Sequence, residues 1–236
     1  QAQATFAAAG EPLAAARAQL GGGIALSDRG DLVAARRELA AARAIVEGLL
    51  PEGERVLALI LQYHSETLQG AERADAGREL ARALEIRTRI YGRDSIAVAQ
   101  TENSLGAHYM DLGVHDQAAA HLRRAIEIEE PVLGAGAYDV LIAHHNLGLE
   151  LLNQDRVAEA LAEHERALAG LARLLPAAHP NLIGPLAMLA LEHGLLGHAD
   201  AGLAAAERGH AVARAAHLGA VPALELGYGA ALWAQG

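Results

Sequence analysis

Apolar residues recur along this chain at spacings of three and four, in long segments separated by short polar or glycine-containing breaks, and no stretch alternates convincingly with a period of two. Such spacing places the apolar side chains on one face of a helix. The pattern predicts helices over 11–29 and 31–49, 53–69 and 72–91, 95–112 and 115–132, 137–154 and 156–174, 180–196 and 199–216, and 222–235. The chain is therefore expected to be all-α. Inside each pair the break is short, as at Gly30, Gly70, Gly113 and Gly197, and a short break forces antiparallel neighbours. Asp31, Asp116, Asp155 and Asp200 are placed to accept from the free amides of the helix that follows. Pro51, Gly92, Gly134 and Pro176 separate the pairs, and Pro180 and Pro222 suit a first helical turn. Pro185 falls further in, so its helix should start late or kink. Gly21-Gly22-Gly23 should loosen or break the first helix, because each Gly costs about 1 kcal/mol relative to Ala.

The helix pairs repeat. Small residues seven apart recur at intervals of 41 or 42: Ala35/Ala42, Ala76/Ala83, Ala118/Ala125, Ala160/Ala167 and Gly202/Gly209. A fixed period of this length marks stacked units, each burying its apolar face only against its neighbours. The units run approximately over 11–52, 53–94, 95–136, 137–178 and 179–220, with a half unit at 221–236, and no linker divides 1–236 into separate domains.

The third unit carries Asn103-Ser104-Leu105-Gly106, Tyr109, Gly113, Ala118, Leu122, Arg124-Ala125-Ile126-Glu127-Ile128 and Leu133-Gly134. The fourth repeats this as His145-Asn146-Leu147-Gly148, Leu151, Asp155, Ala160, Ala167-Leu168 and Leu175-Pro176, and the second ends on Arg82-Ala83-Leu84-Glu85-Ile86. This pattern resembles the tetratricopeptide repeat of the 42-residue, kinesin-light-chain-like kind. The resemblance covers nearly the whole chain and weakens in the first and fifth units. It implies a right-handed superhelical solenoid of about five and a half repeats and eleven helices, in which the first helix of each pair lines the concave face.

Composition narrows the function. The 236 residues are 52% hydrophobic but only 3% aromatic, so the seams must be built from Ala, Leu, Ile and Val in close contact. There is no cysteine, hence no disulfide framework and no thiolate ligand, which suits a cytoplasmic location. No apolar run is long enough to span a bilayer, and Gln1–Gly10 lacks the marks of a signal peptide. The net charge is −10, concentrated after Ser95, and no basic stripe exists, which argues against nucleic acid as a partner. Eleven of twelve His also lie after Ser95, without the HExxH or i, i+4 spacing of a preformed metal site; with so much acid around them they point to a pH-responsive second half. No nucleophile elbow or phosphate loop is present, and Glu129-Glu130 is expected on a solvated face, so neither a catalytic residue nor a cofactor is assigned.

The resemblance implies a peptide groove lined by Gln62, Gln69, Gln100, Asn103, Met110, His145, Asn146, Leu149 and Asn153. Asn103 and Asn146 match the two places of the family's paired Asn motif. Amides satisfy peptide backbone groups while Met and Leu accept apolar anchors. Arg is concentrated on second helices and turns, so a neutral or basic ligand suits the groove. The expected function is a non-catalytic protein or peptide interaction scaffold, the sensing part of a larger bacterial signalling protein. The alternatives are homo-oligomerisation through the last helix, with its Leu224, Leu226, Leu232 and Trp233, and a receptor for a small signalling peptide.

Overall fold

In the computed structural model the backbone is described for residues 2–235 and the side chains for 11–70 and 72–235. The expected end points of the array, Gln1 and Gly236, and the side chains of the segment weighed as a signal peptide lie outside the described residues. Eleven α-helices and no strand are found among the described residues. They are α1 (Ala2–Asp28), α2 (Leu32–Glu47), α3 (Glu54–Thr67), α4 (Arg73–Tyr91), α5 (Ile96–Asp111), α6 (His115–Leu133), α7 (Tyr138–Asn153), α8 (Val157–Leu174), α9 (Ile183–Leu195), α10 (Ala199–Ala215) and α11 (Pro222–Trp233). Short 3-10 turns at Gly70–Glu72 and Pro180–Leu182 lead into α4 and α9.

The chain forms two compact units, residues 1–108 and 109–236. In the first, α1 packs on α2, α2 on α3 and α3 on α4. Its core joins Ala16, Leu20, Leu39, Val46, Leu57, Ile60 and Ala83. In the second, each helix from α6 to α11 packs on the next, and α9 also packs on α11. One cluster there centres on Leu122, Ala143, Leu147 and Ala160, and another on Leu171, Leu186, Val212 and Leu224. The paired small residues are buried in every repeat, as the close-contact argument requires.

Several local expectations are corrected. The first helix is neither loosened nor broken at Gly21-Gly22-Gly23 but runs unbroken to Asp28. Gly23 faces Leu39, whose Cγ would lie 2.7 Å from a Cβ at that position, so the glycine permits close approach of α2. Of the four aspartates only Asp31 is an N-cap, accepting from the Ala34 amide at 3.1 Å. Asp116 and Asp200 lie inside the first turns of α6 and α10, and Asp155 adopts a left-handed turn with φ of 57°. Pro185 does delay its helix: α9 starts at Ile183, so the missing amide falls in the first turn, where no helical bond is lost. Glu129 is not on a solvated face but buried, at 2% exposure.

Candidate functional site

Four of the expected groove residues belong to the first unit. Gln62 is half-buried, and its Oε1 accepts from Arg87 Nη1 at 2.5 Å. Arg87 is itself buried and donates also to the Ala97 carbonyl at 2.9 Å and to Thr101 Oγ1 at 2.6 Å. Burial lowers its pKa, and these three acceptors replace the water it has lost. Gln62 thus helps to hold α3, α4 and α5 together. Gln69 and Gln100 are exposed. Asn103 is half-buried, and its Oδ1 is enclosed without a hydrogen-bond partner.

The other five belong to the second unit. Met110 packs against the cluster around Leu122 and Leu147. His145, Leu149 and Asn153 follow one another by single turns along α7, with Asn146 beside them. Asn153 is exposed, and the other three are half-buried. The His145 ring lies 5.0 Å from that of His164 and close to Gly184, whose missing Cβ would stand 3.1 Å from His145 Nε2. Burial, and then the charge of His164, hold the His145 pKa down to about 4. Its Nδ1 is enclosed and unpartnered.

The repeat register extends this face beyond the residues read from the sequence. Leu149, Leu191 and Trp233 are spaced by 42 and hold the same position on α7, α9 and α11, as do Asn146, Met188 and Ala230. Leu195, at 55% exposure, holds the place of Asn153, and Leu226, at 61%, that of Ile142 and Gly184. Trp233 is 82% exposed. The sequence reading stopped at the fourth repeat, where the motif is clear; carrying the 42-residue step onward finds these residues. None of α7, α9 and α11 contains an Arg, while they hold Asp139, Glu150, Glu192 and Glu225. All seven Arg of this unit lie on α6, α8, α10 or the turn at Arg156.

Three His–Glu hydrogen-bonded pairs link successive helices of this unit. Glu150 and Glu192, again 42 apart, are fully buried. His115 Nδ1 lies 2.5 Å from Glu150 Oε1, and His164 Nδ1 lies 2.7 Å from Glu192 Oε1. His144 Nδ1 lies 2.5 Å from Glu163 Oε2. Burial raises the Glu192 pKa; burial also pushes Glu163 up, but the hydrogen bond and charge of His144 outweigh it and keep that carboxyl below the usual range. These pairs tie α6 to α7, α7 to α8 and α8 to α9.

Residues 97–173 match the family model of the tetratricopeptide repeat. No curated protein sequence gives a significant match. Among solved structures, BtubC (BKLC) from P. vanneervenii is 21% identical with a TM-score of 0.71, over 93% of both chains. The nearly identical TPR-like repeats of a Podosopora anserina kinesin light chain are 18% identical with a TM-score of 0.67, over 86% of this chain and 97% of theirs. A STAND protein with a tetratricopeptide repeat sensor, from Pyrococcus horikoshii, is 13% identical with a TM-score of 0.73, over 95% of this chain but 33% of that protein. At these identities the likeness shows the fold, an all-α solenoid of helix pairs.

Proposed function

We propose, from the premise that this chain is a tetratricopeptide-repeat protein of the 42-residue, kinesin-light-chain-like kind, that it is a non-catalytic scaffold whose first helices hold a segment of a partner protein. The observation that carries this reading is the row Leu149, Leu191 and Trp233, flanked by exposed Leu195 and Leu226 on helices without a single Arg. An apolar surface of this kind, kept in register over three repeats, is a feature of interaction sites. Asn146 and Asn153 supply amides for the backbone of the bound segment, and the leucines and Trp233 take its apolar anchors. With Asp139 and Glu225 exposed and no guanidinium on these helices, the surface favours a neutral or basic segment. In the first unit Gln62, Gln69, Gln100 and Asn103 are proposed to contribute in the same way. The scaffold is read as the sensing region of a larger bacterial signalling protein in the cytoplasm. The sensor of the Pyrococcus horikoshii STAND protein, which shares the fold, supports the regulatory part of this reading.

Trp233 is the sole Trp, which makes the test direct. The full chain is titrated with a library of peptides that combine leucine anchors with Lys or Arg, and Trp emission is followed. A blue shift that is lost in Leu191→Asp and weakened in Asn146→Ala supports the reading. If no peptide moves the emission, or the Leu191→Asp variant binds as well as the parent, the groove assignment is wrong.

One observation favours self-association as a second reading. Leu224 is buried against Gly209 on α10, but Leu226, Leu232 and Trp233 remain exposed on α11. Sedimentation equilibrium of the parent and of Trp233→Ser separates the two: a monomer at high concentration eliminates pairing through α11.

A further inference from the structure

A shallow cavity of about 320 Å³ opens beside α8, away from the row of first-helix side chains. Leu141, Ala169, Gly170 and Leu174 make its apolar walls, and Arg166 and Arg173 stand at its rim. Its origin lies in one residue. Gly170 holds the register position that Ile45, Ile86, Ile128 and Val212 hold in the other four repeats. Ile86, Ile128 and Val212 are buried, so the fourth repeat lacks a branched side chain where its neighbours pack one. Leu141 leans into part of the vacated space, and a Cβ on Gly170 would collide with it. The rest stays open to solvent.

The rim is charged in a unit that is otherwise acidic. Residues 109–236 contain fifteen carboxylates and seven Arg, and two of those seven flank this one apolar hollow. Arg173 is exposed and makes no hydrogen bond or ion pair among the described residues. Arg166 reaches only Glu163, at 3.9 Å. Seven residues apart on one helix, the two guanidinium groups are rooted about 10 Å from each other.

We propose that this cavity is a docking site for an acidic segment of a partner protein, which inserts a leucine-type side chain beside Gly170 between carboxylates that meet Arg166 and Arg173. The volume stands at the lower end of the range for ligand pockets, about 300 to 1,000 Å³, and so suits one large side chain in preference to a whole small molecule. In an extended chain alternate side chains share a face and each residue advances about 3.3 Å, so a Glu-x-Leu-x-Glu segment turns both carboxylates and the leucine toward the cavity, with the carboxylates about 13 Å apart and within reach of the two long Arg side chains. Each guanidinium then makes a charge-assisted hydrogen bond to a carboxylate. The site is built on α8 together with Leu141 of α7 and uses none of the residues named for the proposed function, so it goes beyond that function and does not depend on it.

The test uses the full chain and a fluorescein-labelled peptide of sequence Gly-Ser-Glu-Ser-Leu-Ser-Glu-Ser-Gly in fluorescence anisotropy. A single anchor with two charged contacts should bind with a Kd of about 10 to 100 μM, and Arg166→Glu or Arg173→Glu should each weaken it about tenfold or more. Versions with Gln for both Glu, or Ser for Leu, should bind at least about tenfold more weakly. Gly170→Ile combined with Leu141→Ala gives this repeat the pair that the third repeat carries, Ile128 and Ala99, and fills the hollow; binding should be lost while the melting curve is kept. Should that double variant melt early, Arg173→Glu, a surface change, decides alone. Leu191→Asp should leave this binding unchanged. The proposal is overturned if the peptide fails to bind below about 1 mM, if the Gln peptide binds equally well, if Arg173→Glu or the folded filled variant binds like the parent, or if Leu191→Asp abolishes binding.

Discussion

Replacing His164 by leucine restores the residue that Leu80 and Leu122 supply at the same register position, yet it should destabilise the protein severely. His164 and Glu192 are both fully buried, 2.7 Å apart, and Glu192 Oε2 has no partner of its own. Taking away the imidazole removes the one hydrogen bond recorded for a carboxylate whose pKa burial already raises. Breaking a buried pair from one side costs about 3 to 5 kcal/mol. At about 2 to 4 °C per kcal/mol for a chain of this size, the melting temperature should fall by about 6 to 20 °C. Glu192→Leu strands the imidazole in place of the carboxylate and should cost less, about 1 to 3 kcal/mol. The double variant removes both polar groups and should lie near the parent or as much as about 1 to 4 kcal/mol above it. Urea unfolding followed by circular dichroism on all four proteins, near neutral pH, closes the cycle. A coupling energy of at least about 2 kcal/mol is expected. If His164→Leu melts within about 1 °C of the parent, or if the two single losses simply add, the pair is not the coupled element argued here.

Glu129 is pushed up to about 7 by burial, with Asp139 adding to it. Its folded-state pKa lies above the ordinary value of 4.5, so its stabilisation is complete at acid pH and lost as pH rises through about 7. Glu129→Gln should therefore add about 1 to 3 kcal/mol at alkaline pH and nothing at acid pH, which melting curves across the range will show. His145, held down to about 4, acts in the opposite sense. Its contribution is complete above about 6.5 and falls as pH drops toward 4, and His145→Gln should flatten that acid limb by about 1 to 3 kcal/mol in the same melts. At Gly227 a Cβ would stand 2.7 Å from the Ala190 Cβ and 2.9 Å from the Ala187 carbonyl oxygen. Gly227→Val should cost about 1 to 3 kcal/mol by overpacking and speed hydrogen exchange in α11; unchanged exchange would mean that α11 tolerates a wider gap from α9.

The repeat was legible because its signal is long-range: small residues at steps of 41 or 42 can be counted without knowing any contact, and all of them are buried. Helix ends were less so. Whether Asp caps a helix depends on one backbone angle, and Asp155, three residues beyond Leu152, takes a left-handed turn instead. The glycines at 21–23 were misjudged because intrinsic propensity was weighed without the neighbour, Leu39, that needs the space at Gly23. The sequence pattern places His145, Asn146, Leu149 and Asn153 on neighbouring turns of one helix, α7, but does not by itself follow the same register onto Met188, Leu191 and Leu195. The buried pairs were missed for a different reason. Hydrophobic periodicity counts His and Glu as surface residues, so Glu150, Glu192, His144 and His164 registered as interruptions of an apolar face when they are part of the interior.

These interruptions also explain how an array built from nearly interchangeable parts keeps its order in the second unit. Ala and Leu seams are alike from repeat to repeat, and such chains are prone to pairing with the wrong neighbour. A seam holding Glu192 does not share that tolerance, because only a helix carrying an imidazole at the position of His164 satisfies it; Leu80, Leu122 and Ala206 occupy that position elsewhere. Packing α9 against any of them would enclose an unpaired carboxylate, at a cost of several kcal/mol. Glu150 is satisfied in the same way by His115 one repeat earlier, whereas Val157 and Ala199 hold that position in the two repeats that follow. The pairs therefore discriminate between neighbours even where they add little net stability. The His144–Glu163 pair fixes α7 against α8 and the His164–Glu192 pair fixes α9 against α8, so together they also set the positions from which Leu149 and Leu191 face the proposed ligand. Loss of either pair should consequently weaken peptide binding without touching a residue on the binding face.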